Sequence, residues 1–209
     1  MGKRMAAALF SAGAVALTIG LSAPAALAAA AATWTVSPGG AITGKAGTTT
    51  LTDTTSSISL SCTSSKLAGS LKSGKGLPGK GLGTVTSVAF NKCTVLSVTI
   101  SLSSGKVAWK LNASSYNPAT GTTSGTITGI HLAVNSSICS AVVDGTSGTA
   151  RNGMVNVTYS NKTHVLKMLP KGNLHIYNVK GCGGVISSGD AGTVASSYTV
   201  SPAQKITSP

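Results

Sequence analysis

Apolar and polar residues alternate with a period of two along much of the chain beyond its N-terminal apolar run. The alternation is clear over residues 48–53, 57–62 and 106–112. This period places successive side chains on opposite faces of an extended strand. Clusters of Gly, Pro, Asn and Asp separate such segments, and helical periodicity is nearly absent. We therefore predict an all-β fold, an antiparallel β-sandwich or barrel of about eleven short strands.

Two similar segments begin and end this region. Trp34-Thr-Val-Ser-Pro38 near the start is matched by Tyr198-Thr-Val-Ser-Pro202 near the end, and each is followed shortly by an Ile-Thr pair. An aromatic residue, alternating Thr, Val and Ser, and a closing Pro are typical of a strand that ends in a turn, because Pro has no N–H for a central ladder. We expect the two segments to close one sheet or to lie together in the core.

The first 28 residues have the organisation of a secretory signal peptide. Lys3 and Arg4 precede a long apolar run, and an A-x-A pattern ends at Ala28. An uncleaved membrane anchor is the alternative, because the run is close to the shortest that spans a bilayer. We predict that residues 1–28 are removed and that residues 29–209 form a single secreted β-domain.

Four cysteines follow the signal peptide: Cys62, Cys93, Cys139 and Cys182. An even number of cysteines in an exported chain predicts disulfides. Three pairings are possible, and we favour Cys62 with Cys93 and Cys139 with Cys182, since these staple each half of the domain locally. The absence of a C-x-x-C spacing argues against a zinc site or a thioredoxin-like redox site.

The exported region is strongly basic. Without Lys3 and Arg4 it has 14 basic residues against three aspartates and no glutamate, a net charge of +11. The predicted polyanion-binding residues fall in two segments: Lys66, Lys72, Lys75, Lys80, Lys162, Lys167, Lys171 and Lys180. Such a surface attracts anionic polymers, so we expect an anionic cell-wall polymer or membrane surface as the partner; solvation of a Ser/Thr-rich surface is the alternative. Specific nucleic-acid recognition is not expected, because it relies on the guanidinium groups of arginine and this region has one arginine, Arg151.

The motifs of nucleotide-binding and acyl-transfer enzymes are incomplete. Three Gly-x-x-x-x-Gly-Lys matches begin at Gly39, Gly69 and Gly74, but none has the Ser or Thr that must follow the Lys of a phosphate-binding loop. Ser103-Ser-Gly-Lys106 fits the S-x-x-K pattern of acyl enzymes without its partner motifs. We therefore predict no bound nucleotide, no cofactor and no catalytic residue.

The remaining candidates for chemistry are three aspartates and three histidines: Asp53, Asp144, Asp190, His131, His164 and His175. The aspartates lie at strand ends or in Gly-rich turns, where carboxylates bond the local backbone. The histidines lie on separate strand segments without metal-ligand spacing. We expect structural roles and no metal site. A carboxylate pair acting on glycosidic bonds is the alternative.

The chain resembles a group of small secreted actinobacterial proteins of uncharacterised function. The resemblance rests on the Trp34 to Gly40 segment, the central Trp109-Lys-Leu-Asn112, the stretch from Gly181 to Asp190 and the ending from Tyr198. It spans nearly the whole exported region. It implies secretion and a single exported domain, and it brings no catalytic residues and no ligand.

These features together predict a secreted or cell-wall-associated β-protein without enzymatic activity, which binds or packs at the cell surface. One alternative is a hydrolase that acts on envelope polymers through aspartate and histidine side chains. A second alternative is a barrel that inserts in membranes, for which the alternating strands are the only support.

Overall fold

The computed structural model describes residues 32–106 and 108–208, and the predicted signal peptide lies outside the described residues. Regular structure in these two ranges consists of β-strands. The sixteen strands within them are β1 (Thr33–Ser37), β2 (Gly40–Ala46), β3 (Thr49–Asp53), β4 (Ser59–Leu71), β5 (Gly74–Pro78), β6 (Gly83–Val95), β7 (Val98–Ser103), β8 (Trp109–Asn117), β9 (Thr122–Ile130), β10 (Leu132–Asn135), β11 (Ser140–Asp144), β12 (Gly153–Ser160), β13 (Val165–Gly172), β14 (His175–Lys180), β15 (Gly192–Ser201) and β16 (Lys205–Thr207).

Eight of these strands close an antiparallel barrel, which we call the first barrel. Its strand order is β2, β4, β6, β8, β9, β12, β13 and β15, and β15 pairs with β2 to complete it. Strand β12 shows the alternation that the sequence predicts, because Val155, Val157 and Tyr159 are buried while the residues between them are partly exposed. The all-β fold and its barrel form are confirmed.

The other strands of the large sheet close a second ring that continues the first barrel along its long strands. β7 pairs with the end of β6, and β10, β11 and β14 follow in order. The ring closes where Ile176 N–H donates to the Asp190 carbonyl and Gly192 N–H donates to the Leu174 carbonyl, beside the start of β15. β3 lies between β15 and β4. Strands β4, β6 and β15 therefore belong to both rings.

A chain of buried hydroxyl groups lies where the shared strands pass from the first barrel to the second ring, a level we call the waist. The Thr49 hydroxyl bonds to Ser65 at 2.7 Å and to Ser196 at 2.8 Å, and the Ser65 hydroxyl bonds to that of Tyr198 at 2.8 Å. All four residues are buried. The chain satisfies polar groups that would otherwise be costly inside the fold.

A separate three-stranded sheet, which we call the cap, covers one end of the first barrel. Its strand order is β16, β1 and β5. Trp34 and Val36 from β1 and Ile206 from β16 are buried in the same core as the barrel residues. Gly79 packs so closely on this end that a Cβ there would lie 2.6 Å from Trp34 Nε1 and 2.4 Å from the Ala113 carbonyl oxygen.

The two similar terminal segments take reciprocal positions at the capped end. β1 pairs with β16, with Val36 opposite Ile206, whereas β15 pairs with β2, with Ser201 opposite Thr43. The Trp34 segment on β1 thus pairs with β16, which carries the Ile206-Thr207 pair that follows the Tyr198 segment. The Tyr198 segment on β15 pairs with β2, which carries the Ile42-Thr43 pair that follows the Trp34 segment. Trp34 and Tyr198 are each 2% exposed, so the prediction that both lie in the core is confirmed.

Both predicted disulfides are present. Cys62 on β4 lies opposite Cys93 on β6, and the bridge joins two shared strands next to the waist. Cys139 and Cys182 join the segment before β11 to the segment after β14 at the far end of the second ring. Each bridge is expected to stabilise the fold by about 2–4 kcal/mol, chiefly by restricting the unfolded chain.

Two local sequence patterns predict something different from the structure. The two alternating segments on either side of Cys93 predict a hairpin with Cys93 at its turn, but Cys93 lies within β6, and the turn falls at Leu96 and Ser97, which have φ of 46° and 68°. A hairpin turn with two consecutive residues in the left-handed conformation is usually recognisable from an Asn-Gly sequence. The sequence Leu96-Ser97 gives no such indication. The Gly- and Lys-rich composition between residues 66 and 83 predicts a loop, but this stretch contains the end of β4 and all of β5.

We predict that Ile206→Ala lowers the free energy of unfolding by about 2–5 kcal/mol, because a buried branched side chain is removed from the seal between cap and barrel. Ile206 is 6% exposed, and its backbone is fixed by both polar ends of the Asn161 side chain. Urea denaturation provides the measurement. The matched control is Lys205→Ala, an exposed neighbour on the same strand, for which we expect a change within about 0.5 kcal/mol. Equal effects of both changes would contradict a structural role for the C-terminal strand.

Candidate functional site

Lysines from three separate parts of the chain meet around the cap. We call this group the basic cap face, and it consists of Lys72, Lys75, Lys80, Lys162 and Lys205. All five side chains are exposed. The sequence-predicted clusters around residues 72–80 and at residue 162 are thus brought together by the fold, although they are about 80 residues apart in the chain. Lys205 lies outside both predicted lysine segments.

Backbone contacts explain why these lysines share one end of the molecule. Lys72 N–H donates to the Leu82 carbonyl, and Lys75 lies on β5, which pairs with β1. Lys205 lies on β16, opposite Ser37 of β1. Lys162 follows Asn161, whose side chain donates to the Ile206 carbonyl and accepts from Ile206 N–H. The cap strands therefore hold all three segments at the same end.

The other predicted polyanion-binding lysines lie elsewhere. Lys66 is on the outer wall of the first barrel, directly opposite Lys45 of β2, and two like charges in this arrangement repel each other. Lys167 is also exposed on this wall, on β13. Lys171 follows at the end of β13, and Lys180 lies at the end of β14 in the second ring. The fold does not bring these four residues to the basic cap face.

Charge is distributed unevenly between the two ends. The three aspartates, Asp53, Asp144 and Asp190, lie at the end of β3, at the end of β11 and just before β15, and all belong to the second ring. The first barrel and its cap carry no carboxylate side chain in the described ranges. The basic cap face is therefore not neutralised by neighbouring acids.

Asp144 makes the densest set of polar contacts in the second ring. Its carboxylate is fully buried and accepts hydrogen bonds from the N–H groups of Gly145, Arg151 and Asn152 and from His131 Nδ1, which lies 2.8 Å from Oδ2. Burial alone would raise the pKa of Asp144, but the hydrogen bonds from His131 and the three backbone groups outweigh it, so the pKa lies below its usual value. The carboxylate holds the loop between β11 and β12 against the start of β10.

The other two histidines are engaged separately. His175 is opposite Asp144 in the β11–β14 pairing, but its Nδ1 lies 3.0 Å and 3.2 Å from the carbonyl oxygens of Asn173 and Gly145. His164 Nδ1 lies 3.4 Å from the Tyr159 hydroxyl in the first barrel. Within the described residues, no group of three or more His, Cys, Asp or Glu side chains could hold a metal ion.

The remaining sequence candidates for chemistry occupy turns and strands. Asp190 Oδ2 accepts from Ser187 N–H, and Asp53 Oδ1 accepts from the N–H groups of Thr55 and Ser56. Ser103 Oγ accepts from Gly105 N–H at the end of β7. These aspartates and this serine stabilise turns in the way that the sequence pattern indicates.

An apolar groove at the end of the molecule opposite the cap was not predicted. The large hydrophobic side chains that are exposed in the described residues are Leu96, Ile138 and Val185, and all three line this groove, which has a volume of about 260 Å³. They come from three turns with Ser or Gly neighbours. The only available signal was the presence of large apolar residues in such turn-like surroundings.

No protein-family model matches the chain, and neither a curated protein nor a solved structure is significantly similar to it. Among residues 32–106 and 108–208, no helix is long and apolar enough to cross a membrane. Two disulfides are consistent with an oxidising environment outside the cytoplasm. The function of this protein must therefore follow from its own fold and surfaces.

We predict that Asp144→Asn lowers the free energy of unfolding at pH 7 by about 1–3 kcal/mol, because Asn cannot replace all the acceptor positions of the carboxylate. The folded-state pKa of Asp144 is below its unfolded value of about 3.9. Its contribution is therefore present above that pH and is lost as the pH falls through the folded-state pKa. Denaturant unfolding at pH 7 and at pH 3 measures both effects.

The variant should consequently lose less stability than the wild type on acidification. Asp190→Asn is the matched control, since its carboxylate accepts one backbone N–H at a partly exposed turn, and we expect a smaller loss at pH 7. An Asp144→Asn protein with wild-type stability and wild-type acid sensitivity would show that the Asp144 contacts do not stabilise the loop.

Proposed function

We propose that this protein is a secreted or cell-wall-associated β-protein without enzymatic activity, which binds an anionic polymer of the cell envelope through its basic cap face. The observation that carries the proposal is the convergence of five exposed lysines at the capped end, where the described residues include no carboxylate side chain. A phosphate-bearing wall polymer has the matching charge and is long enough to contact several lysines at once.

The form of the basic cap face favours a flexible polymer over a small ligand. The lysines lie on an outer surface and not around a closed pocket, so they can contact successive charges along an extended chain. Lysine acts as a hydrated point charge, whereas specific forks to phosphate are made by Arg. Arg151, the one arginine beyond the signal peptide, lies in the loop between β11 and β12, in the second ring. Charge density should therefore determine binding more than the exact chemistry of the polymer.

The contacts of the acidic residues favour this function over the hydrolase alternative. Glycoside hydrolysis needs two carboxylates that face one bond. In this protein each aspartate accepts hydrogen bonds from the backbone of its own turn, and Asp144 is fully buried. The His131–Asp144 pair has the geometry of an oriented base, but the same contacts also fix the loop between β11 and β12.

The outer wall of the first barrel argues against the membrane-inserting alternative. On β9 and β12 the side chains that alternate with buried ones are Ser124, Thr126 and Thr128, and Met154, Asn156, Thr158 and Ser160, and all of these except Met154 are polar. A lipid-facing wall would need an apolar band at these positions. We therefore propose that the polar wall faces water and that the basic cap face binds the polymer.

The test replaces the five lysines of the basic cap face by Gln and measures binding to purified polyol-phosphate wall polymer. We expect the affinity at physiological salt to fall more than tenfold, and the salt dependence of the remaining binding to become shallower, because fewer charges contact the polymer. The wild-type affinity should fall steeply between low and physiological salt.

A charge-matched control separates the location of the lysines from net charge. It replaces five exposed lysines outside the cap by Gln: Lys45, Lys66, Lys92, Lys167 and Lys171. We expect this variant to keep most of its affinity. Equal losses in both variants would mean that net charge alone attracts the polymer, and salt-independent binding would mean that the lysines do not carry it.

A further inference from the structure

The apolar groove is a convergent feature and not a scatter of exposed side chains. Leu96, Ile138 and Val185 are 71%, 62% and 47% exposed, and they come from the β6–β7 turn, the β10–β11 loop and the loop after β14. The Cys139–Cys182 disulfide joins two of these loops. Single exposed hydrophobic residues are common on protein surfaces, but a contiguous apolar patch around a concavity marks a binding site.

The groove adjoins a chamber inside the second ring. The chamber has a volume of about 90 Å³, and the inward side chains of Leu51, Leu60, Ile100 and Ile176 contribute to its wall. The two spaces share lining residues, which are Ile58, Val95, Ile100, Cys139 and Ile186. A ligand that lies in the groove can therefore extend a narrow end toward the interior of the fold.

The groove wall suits a hydrocarbon chain better than a peptide. Ser136 supplies its one hydroxyl side chain, and that hydroxyl already accepts from the N–H groups of Ile138 and Cys139 and donates to the Cys139 carbonyl. A peptide segment would bury amide groups against these side chains without hydrogen-bond partners, which is unfavourable. An aliphatic chain has no polar groups to satisfy.

A second, independent observation comes from Asp53 in the chamber wall. Asp53 is 4% exposed, and its Oδ1 accepts from the N–H groups of Thr55 and Ser56. Its Oδ2 is buried and has no hydrogen-bond partner among the described residues. A buried carboxylate oxygen without a partner is costly and requires either a water or a ligand group that donates a hydrogen bond. The wall of the apolar chamber thus includes a strong acceptor.

We propose that the groove and chamber bind a single-chain amphiphile whose hydrocarbon chain carries a hydroxyl group. The chain lies in the groove, and its hydroxyl group enters the chamber and donates a hydrogen bond to Asp53 Oδ2. The polar head stays in solvent at the mouth. Lys180 is exposed there, immediately before the groove residue Gly181, and favours an acidic head. The 13 residues of β4, which extend over about 40 Å, separate this site from the cap, so the proposal does not rest on polymer binding.

The first experiment compares ω-hydroxydodecanoate with dodecanoate by isothermal titration calorimetry on the full exported domain, below the concentration at which either forms micelles. We expect saturable binding of one molecule per protein. The hydroxylated acid should bind about tenfold more tightly, because a hydrogen bond to a charged group contributes that much. The absence of saturable binding, or equal affinity for the two acids, would overturn the proposal.

Two variants assign the binding to these residues. Asp53→Asn keeps an oxygen for the turn at Thr55 and should abolish most of the preference for the hydroxylated acid while dodecanoate binds as before. Ala141→Ile fills the chamber, where Ala141 is 4% exposed, and should weaken the hydroxylated acid at least tenfold. Ala89→Ile, an exposed position on β6, is its control and should leave both affinities unchanged.

The same samples distinguish the other occupants of an apolar groove. Sedimentation without amphiphile reports self-association, and flotation with neutral phosphatidylcholine vesicles reports insertion into a bilayer. We expect a monomer that does not float. A dimer that Leu96→Ser dissociates, or vesicle binding that Leu96→Ser abolishes, would show that a second copy or a bilayer covers the groove and would overturn the proposal.

Discussion

The buried hydroxyl chain at the waist is the interaction on which the rest of the structure depends. Thr49, Ser65, Ser196 and Tyr198 lie on β3, β4 and β15, at the level where the first barrel passes into the second ring. At this level the partner of β15 changes from β2 to β3, and the pairing register shifts by one residue. Tyr198 pairs with Ala46 on β2, and the same register would pair Ala195 with Thr49, but Ala195 pairs with Thr50 on β3. Such an extra residue turns side chains to the opposite face. The hydroxyl chain satisfies the polar groups at the place where the two apolar interiors meet.

The shared strands also separate the two candidate binding surfaces. β4 begins beside the apolar groove at Ser59 and ends beside the cap at Leu71, so lysines collect at one end and exposed hydrophobic side chains at the other. The three aspartates lie in the second ring, where each fixes a turn. This arrangement leaves the positive charge of the cap without local compensation. It also places the two proposed sites toward opposite ends of β4, with no residue in common.

Several features followed from the sequence for local physical reasons. Period-two alternation determines the strand type wherever one face is buried, as in β12, and turn residues determine where aspartates are needed. The even number of cysteines and their local spacing predicted both bridges. The likeness of the Trp34 and Tyr198 segments predicted that both are buried. Their reciprocal pairing with β16 and β2 was not predictable, because strand partners are non-local and neighbouring sequence does not specify them.

The sequence by itself determined an all-β, disulfide-linked, basic domain, since alternation, cysteine number and charge are properties of short segments and of composition. Only the tertiary structure decided that the barrel continues into a second ring. The alternation of buried and exposed residues in β4 shifts by one residue between Cys62 and Ser65, at the waist, so the sequence pattern does not show that β4 is one long strand. Only the tertiary structure brought Lys162 and Lys205 to Lys75, and Leu96 to Ile138 and Val185. Both surfaces consist of residues from distant segments, and their proximity arises from ring closure, which no local pattern encodes.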